Sequence, residues 1–320
     1  MSATGKSEPS TARVMTAMGF AVLALAFSSI FIKKLELKEI APLAIALYRM
    51  AIATALLLPA AVMLRRKEMS RLTARDAGLL VLGGFFLALH FGAWITSLKY
   101  ISIATSVVLV NSHPLFVVLA SYLFLDEKPS RGSLTGTAIG LAGMAVISRD
   151  GLEDVEFALL GNALAILGAL AVVGYFIVGR KVRARVSLLG YVTPLYGACS
   201  LFLLFWAIAA GSFLGPFEVD VWAYFAALAV VPTILGHTVF NWAIKHVRPS
   251  AVSLAFLGEP VVAAALAFIF FDQRPPLSTF IGGALVLAGV YLATSSNPKA
   301  KIEKPEPKSV IIDGTRHGRR

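Results

Sequence analysis

Residues 125–143 read LDEKPSRGSLTGTAIGLAG, and residues 271–289 read FDQRPPLSTFIGGALVLAG. The second stretch repeats the pattern of the first at a constant offset of 146 residues. Within these stretches the offset aligns Asp126 with Asp272, Pro129 with Pro275 and Gly136 with Gly282, and before them it aligns Lys99 with Lys245 and Pro114 with Pro260. Matched proline, aspartate and glycine do not follow from an apolar composition, so they indicate an internal repeat.

The composition is that of a membrane protein. Of the 320 residues, 58% are apolar and only 15% are charged, and the mean hydropathy is +0.78. A soluble domain has about 25% charged residues, so this chain lacks the polar surface of a globule. Ten apolar segments have 17 to 25 residues each, which is enough for a helix to cross a membrane: 14–32, 40–64, 76–98, 101–125, 132–148, 158–179, 187–211, 221–244, 250–271 and 278–296.

The repeat and the spans together predict an all-α membrane fold. Residues 1–148 form the first repeat of five spans, and residues 149–296 form the second. Because each repeat has an odd number of spans, the second is inverted relative to the first, as in many secondary transporters. Residues 297–320 combine prolines and lysines with few apolar residues, which predicts a disordered basic tail.

Basic residues predict the orientation of the chain. With a cytoplasmic N-terminus, cytoplasmic stretches hold 22 of the 29 lysines and arginines and external loops hold six. This bias predicts cytoplasmic N- and C-termini. The net charge of +11 is therefore a topology signal, which does not indicate nucleic-acid binding and favours contact of the basic loops with anionic lipid. A signal-peptide interpretation, with cleavage after Ala24-Leu25-Ala26, would remove one span and destroy the repeat.

Each repeat carries a proline near the middle of its fourth span, at Pro114 and Pro260. Proline lacks an N–H donor and interrupts a helix, which would leave the carbonyl groups of Val110 and Phe256 without their usual partners. Helix breaks at corresponding positions of two repeats are a strong pointer to a transport site. The alternative is a packing kink, since proline is fairly common in membrane helices.

Polar residues cluster at these two breaks. Asn111, Ser112 and His113 precede Pro114, and Glu259 precedes Pro260. The repeat aligns His113 with Glu259, so both should lie at similar depth in the membrane.

In these features the chain resembles the drug/metabolite transporter superfamily, specifically its ten-span EamA-type carriers. Besides the two prolines, the resemblance rests on four motifs: Ala26-Phe27-Ser28-Ser29, Pro42 through Arg49, Leu125-Asp126-Glu127 and Phe271-Asp272-Gln273. Gln273 departs from the family pattern, in which a glutamate is common at this position. The resemblance implies a carrier of small metabolites in the bacterial inner membrane, often an exporter of amino acids or related compounds.

Two charged residues lie within spans. Glu259 is costly in a membrane and should face a cavity or a partner, either as a proton carrier or as a neutral acid bonded to the kinked backbone. Arg49 lies about 14 Å from the outer end of the second span. It is expected to pair with Glu259 or to meet a substrate carboxylate, and a purely structural ion pair is the alternative.

Histidines and aromatic residues complete the candidate transport path. His90, His113 and His237 lie at mid-span, either as packing residues or in the path, and no two have the i, i+4 spacing of a metal site, so no metal is predicted. Trp94 is a further candidate, although anchoring at the membrane interface is favoured for Trp94 and Trp242. Asn111 and Asn241 complete the set.

Glycines in the last span of each repeat allow close helix contact, either as a scaffold or as a homodimer face. They include Gly136 and Gly140 in one span and Gly282, Gly283 and Gly289 in the other.

Enzyme classes lack their motifs in this sequence. It contains no HExxH, GxSxG, GxGxxG or P-loop, and its single cysteine, Cys199, excludes an internal disulfide and multi-cysteine metal sites. No cofactor is predicted. A passive channel is the remaining alternative, but channels usually use rings of like residues, whereas His113 and Glu259 differ. The sequence therefore favours a carrier for a small amphiphilic or zwitterionic substrate, with protons as a candidate coupling ion.

Overall fold

The computed structural model describes residues 9–116, 130–147, 155–183, 185–243, 245–246, 255–256 and 258–295. Within these ranges the chain is all-helical, and its helices follow the ten predicted spans in order. They are α1 (Thr11–Glu36), α2 (Pro42–Met69), α3 (Ala74–Ser97), α4 (Ile103–Val110), α5 (Arg131–Ile147), α6 (Val155–Arg183), α7 (Leu188–Ala209), α8 (Val219–Ala243), α9 (Gly258–Phe271) and α10 (Leu277–Ser295). The acidic motif at Leu125-Asp126-Glu127 lies outside the described residues.

The helices have the length and surface of membrane spans. Six of those described, α1, α2, α3, α6, α7 and α8, are long and apolar enough to cross a bilayer, and shorter apolar helices accompany them. Large apolar side chains remain exposed on the outside of the bundle, among them Met63, Phe205 and Ile269. A soluble protein rarely exposes so many, so this surface is suited to lipid. The protein is a multi-pass membrane protein.

Polar side chains begin several helices. Ser10 Oγ accepts a hydrogen bond from the backbone N–H of Arg13 at the start of α1. Thr73 and Asp76 form a reciprocal capping box at the start of α3. Because the first N–H groups of a helix have no partner within it, these bonds fix where each helix begins.

The pairing of helices follows the internal repeat. Three pairs of repeat mates pack against each other, namely α2 with α7, α4 with α9 and α5 with α10. In addition, α1 packs against α8 and α3 against α6. The repeat mates of α1 and α8 are α6 and α3, so the repeat relates the α1–α8 pair to the α3–α6 pair. The packing therefore has the pseudo-twofold relation expected of two inverted five-helix repeats.

Two ion pairs show the same relation at opposite ends of the bundle. Lys38, between α1 and α2, contacts Asp220 near the start of α8, with 2.5 Å between Nζ and Oδ2. Arg185, between α6 and α7, contacts Asp76 near the start of α3, with 2.7 Å between Nη2 and Oδ1. In both cases the first loop of one repeat is joined to the third helix of the other. The bond to Asp220 raises the pKa of Lys38 above its usual value.

Glycines of α5 and α10 form a close intramolecular seam. A Cβ atom added at Gly143 would lie 2.6 Å from the carbonyl oxygen of Gly282, and one added at Gly289 would lie 2.6 Å from that of Gly136. The offset of 146 residues converts the first contact into the second. Only glycine allows two backbones to approach this closely. Of the two uses considered for these glycines, the structure shows the scaffold within one chain.

Candidate functional site

The fourth helix is interrupted directly before Pro114. Helix α4 ends at Val110, residues 111 and 112 form a turn, and helical structure resumes over residues 113–116. Pro114 is thus the second residue of the resumed helix, where its missing N–H leaves no carbonyl group unsatisfied. The break lies at the predicted place, and the turn rather than the proline ring ends α4.

Three side chains of the break bind carbonyl oxygens of the preceding turn. Asn111 Nδ2 donates to Val107 O at 3.0 Å, and Ser112 Oγ donates to Leu109 O at 2.6 Å. His113 Nδ1 contacts the carbonyl oxygen of Val110 at 3.4 Å. The carbonyl of Val110, expected from the sequence to lack a partner, therefore has one.

The matching segment of the second repeat places Glu259 against this break. Helix α9 begins at Gly258, so Glu259 and Pro260 lie in its first turn. Glu259 is buried, with 6% of its surface exposed, and it lines the same cavity as Asn111. Glu259 of the second repeat thus lies at the cavity that the break of the first repeat lines.

A cavity of about 30 Å³ lies between the break in α4 and the first turn of α9. Asn111 and His113 line it from the first repeat, and His237 and Glu259 line it from the second. This volume holds about two water molecules, so the site is nearly closed in this conformation. The described residues at the cavity come from both repeats, as expected for a site at the repeat interface.

The other walls come from α1, α3 and α6. Ser28 of α1 and the rings of His90 and Trp94 of α3 line the cavity, together with Phe176 of α6. Phe256 completes an aromatic group around His113, with ring centroids 5.4 Å from His113 for both phenylalanines. The cavity therefore combines a few polar groups with aromatic faces, which is typical of small-molecule sites.

Two of the lining histidines have a defined neutral tautomer. His90 Nδ1 lies 2.9 Å from the carbonyl oxygen of Gly168, and His113 Nδ1 contacts the carbonyl oxygen of Val110. A carbonyl oxygen only accepts, so Nδ1 carries the proton in both rings. In a neutral imidazole the other nitrogen, Nε2, is then an acceptor. His237, the third predicted histidine, also lines the cavity, and its ring centroid is 6.5 Å from that of His90.

Trp94 is a lining residue with a buried donor. Its ring is 4% exposed, stacks on His90 with 6.0 Å between centroids, and lines the cavity. Its indole N–H has no hydrogen-bond partner among the described residues. The sequence interpretation that favoured an anchor at the membrane interface is wrong for Trp94, because the sequence position near a span end did not reveal the depth of the ring.

Arg49 lies behind the cavity wall rather than in it. Its Nε donates to Thr233 Oγ1 and its Nη1 donates to Ser28 Oγ, both at 2.8 Å, and its guanidinium stacks 4.2 Å from the ring centroid of Phe91. Among the described residues no ion pair joins Arg49 to Glu259, so the predicted direct pairing is wrong. The two charges interact electrostatically across a greater distance. The Nη2 atom of Arg49 is buried without a partner in the described chain.

Thr233 belongs to a feature that the sequence analysis missed. Residues Ala229–His237 of α8 form a π-helical segment with Pro232 inside it. π-helical turns often occur at functional sites, and this one contributes both Thr233 to Arg49 and His237 to the cavity. The proline at Pro232 was a usable signal, but it has no counterpart in the repeat.

Two further residues differ from the sequence prediction: Ser28 lines the cavity without having been predicted as a site residue, and Asn241 was predicted but does not line it. Ser28, which the sequence analysis quoted only as part of a motif, joins the cavity wall to Arg49. Asn241, a predicted path residue, does not line the cavity. Its side chain is held by Tyr175, with 2.8 Å between the Tyr175 hydroxyl oxygen and Oδ1 of Asn241.

Known proteins are similar to this chain over most of its length. Among curated proteins, an uncharacterized transporter from Archaeoglobus fulgidus is 26% identical over 284 residues, which cover 87% of this chain and 96% of that protein. The uncharacterized transporter YyaM from Bacillus subtilis is 24% identical over 261 residues, covering 79% and 84% of the two chains. A solved crystal structure matches 89% of this chain and 98% of its own, with a TM-score of 0.63 at 20% identity.

One similar protein is named for its substrate. A protein from Streptantibioticus cattleyicolor, named "Probable terminal-alkyne amino-acid exporter", is 26% identical over 194 residues, which cover 60% of this chain and 64% of that protein. The profile of the EamA-like transporter family matches twice, at residues 13–149 and 159–295, in agreement with the two repeats. The chain is a member of the EamA-like transporter family, within the drug/metabolite transporter superfamily.

Proposed function

We propose that this transporter is a secondary-active carrier that exports small amphiphilic or zwitterionic metabolites, amino acids or related compounds, by alternating access around α4 and α9. The observation that carries the proposal is the convergence of both repeats on one cavity, where His113 and Glu259 lie on opposite sides of the repeat interface. Sites at the interface of inverted repeats can open to either side as one repeat moves against the other.

The cavity has the groups needed for a zwitterion. Glu259 and the Nε2 atoms of the two histidines with defined tautomers are acceptors for an ammonium group. The indole N–H of Trp94 and the hydroxyl of Ser28, which accepts a bond from Arg49, are donors for a carboxylate. The similarity to a named amino-acid exporter supports the same substrate class.

Glu259 is the proposed coupling residue. A carboxyl group buried in a membrane is costly when charged, so proton uptake and release can accompany the change between access states. In proteoliposomes, Glu259→Gln should abolish accumulation driven by a proton gradient, while exchange at equilibrium survives because it needs no net proton movement. A variant that accumulates substrate like wild type would contradict this role.

The abundance of the same variant tests a structural role. Because Arg49 is held by Ser28 and Thr233 rather than by Glu259, Glu259→Gln leaves no broken ion pair and should reach the membrane at normal abundance. Removing one partner of a direct buried pair would cost about 3–5 kcal/mol. Low abundance that is rescued by also replacing Arg49 would point to a pairing role instead.

A passive channel or facilitator is the competing function. Counterflow distinguishes a carrier from a channel. Vesicles that contain a carrier and are preloaded with unlabelled substrate transiently accumulate labelled substrate from outside, without an ion gradient. A channel shows no such overshoot and no saturation with substrate. Counterflow that is absent for a panel of amino acids and their amides, in vesicles where the substrates equilibrate, would favour the channel.

We further propose the bacterial inner membrane as its location, with both termini in the cytoplasm and the basic loops against anionic lipid. The bias of basic residues supports this orientation. A reporter that is active only in the periplasm, fused after Asn297, should stay silent. No nucleic-acid partner or cofactor is part of the proposal, and a homodimer is compatible with it.

A further inference from the structure

We propose that the ammonium group of the substrate, and not its carboxylate, is the element that the closed cavity recognises first. The biological role of this recognition rests on the function proposed above. The binding preference itself can be tested without transport. We expect that amines without a carboxylate bind and that carboxylates without an amine do not.

The hydrogen bonds of two histidines carry the proposal. His90 and His113 each use Nδ1 on a backbone carbonyl oxygen, Gly168 O at 2.9 Å and Val110 O at 3.4 Å. Both residues line the cavity and are at most 6% exposed. Each carbonyl fixes one tautomer, so each ring offers Nε2 as an acceptor rather than as a donor. Histidines from two different helices thus each have an Nε2 atom that accepts hydrogen bonds.

Glu259 adds a third acceptor to the same wall. Glu259 lines the cavity together with Asn111. A primary ammonium group carries three N–H donors and no acceptor. Its three donors match these three acceptors. An acidic group paired with a cation in a buried site forms the stronger, charge-assisted type of hydrogen bond.

Aromatic rings favour the same ligand. Trp94, Phe176 and Phe256 line the cavity. The faces of such rings attract an organic cation when it is within about 6 Å, and the attraction grows when water is excluded. A carboxylate gains nothing from these faces, because the ring quadrupole is negative there.

The charged donor is not in contact with the cavity. Arg49 would be the natural partner of a carboxylate, but it lies behind Ser28 and uses Nε and Nη1 on hydroxyl oxygens. Among the lining residues, the hydroxyl of Ser28 is a neutral donor, and the buried indole N–H of Trp94 is a second neutral donor without a partner in the described chain. Neutral donors bind a carboxylate more weakly than a guanidinium does, so the carboxylate contributes less than the ammonium.

Matched ligands test this directly. Alanine, ethylamine and propionate share one skeleton and differ only in the ammonium and carboxylate groups, and leucine, 3-methylbutylamine and 4-methylpentanoate form a larger set. Their binding to the full chain in detergent is measured by the shift in thermal unfolding temperature across a titration. We expect both amines and both amino acids to stabilise the protein, and neither carboxylate to do so.

Variants locate the binding at the cavity. His113→Phe keeps a ring but removes the Nε2 acceptor, and it should weaken amine binding about tenfold, the usual worth of a hydrogen bond to a charged group. His90→Phe provides a second variant should the first fold poorly. His246→Phe is the matched control, because His246 lies beside Trp242, which is not among the cavity-lining residues.

The outcomes separate this inference from the proposed function. A carboxylate that binds as tightly as its matched amine, or the failure of every ammonium compound to bind, would overturn the inference. Amine binding that is unaffected by His113→Phe and by His90→Phe would also overturn it. Binding as predicted, together with an absence of counterflow, would instead refute the carrier function and leave the recognition intact.

Discussion

Two pairs of repeat mates, α5 with α10 and α4 with α9, are related by the same pseudo-twofold axis, but their contacts differ in chemistry and in closeness. Between α5 and α10, glycine backbones approach so closely that no side chain fits. Between α4 and α9, α4 is interrupted and polar side chains line a cavity. Close backbone packing fixes two helices against each other, whereas a broken helix with polar groups can rearrange. The same symmetry thus provides a rigid contact and a binding site.

The largest expected effect is on the rigid seam. Gly289→Ala adds one Cβ atom that would lie 2.6 Å from the carbonyl oxygen of Gly136. Because backbone cannot move aside as a side chain can, overpacking of this kind costs typically 1–3 kcal/mol and occasionally more. We expect a clear fall in unfolding temperature and in yield. Gly19→Ala is the control, since a Cβ at Gly19 meets nothing within 4 Å, and equal effects of the two changes would contradict the seam.

The next effect concerns the break in α4. Pro114→Ala restores an N–H donor and makes a continuous helix through residues 111 and 112 easier to form. We expect normal abundance and a several-fold loss of transport rate, because a straight helix disfavours one of the two access states. Pro59→Ala is the control, since Pro59 lies inside α2, which continues past it. Normal transport by Pro114→Ala would make this proline a packing residue.

A smaller effect is expected from Trp94. Trp94→Phe keeps an aromatic face but removes the buried N–H that has no partner in the described chain. If this N–H binds the substrate carboxylate, the affinity for an amino acid should fall about tenfold while that for the matching amine is unchanged. Trp242→Phe, outside the cavity lining, should leave both unchanged. Equal losses for amino acid and amine would contradict a carboxylate contact.

The two symmetry-related ion pairs should have the smallest effect. Lys38 and Arg185 are partly exposed, and such pairs contribute little to stability because water and salt screen them. Lys38→Ala and Arg185→Ala should each shift the unfolding temperature slightly, by similar amounts, and less so at high salt. A large shift for one and none for the other would show that the two ends of the bundle are not equivalent.

The sequence predicted the helices well because membrane spans are determined by length and hydropathy. The repeat relates His113 to Glu259, and both residues line one cavity in the structure. The sequence prediction failed for Arg49, whose partners Ser28 and Thr233 come from helices distant in sequence. It failed for Trp94 because distance from a span end does not give the direction of a side chain. Such contacts depend on how helices pack, which hydropathy does not encode.

A carrier working by alternating access needs a cavity that opens to both sides of the membrane. A single cysteine at the cavity, Val172→Cys in a Cys199→Ala background, tests it with a membrane-impermeant maleimide applied to right-side-out and inside-out vesicles. Val172 lines the cavity, whereas the neighbouring Val173 is buried but does not. We expect Val172→Cys to be labelled from either side and Val173→Cys to be labelled from neither. Labelling of Val172→Cys from one side only, or from neither, would contradict alternating access at this cavity.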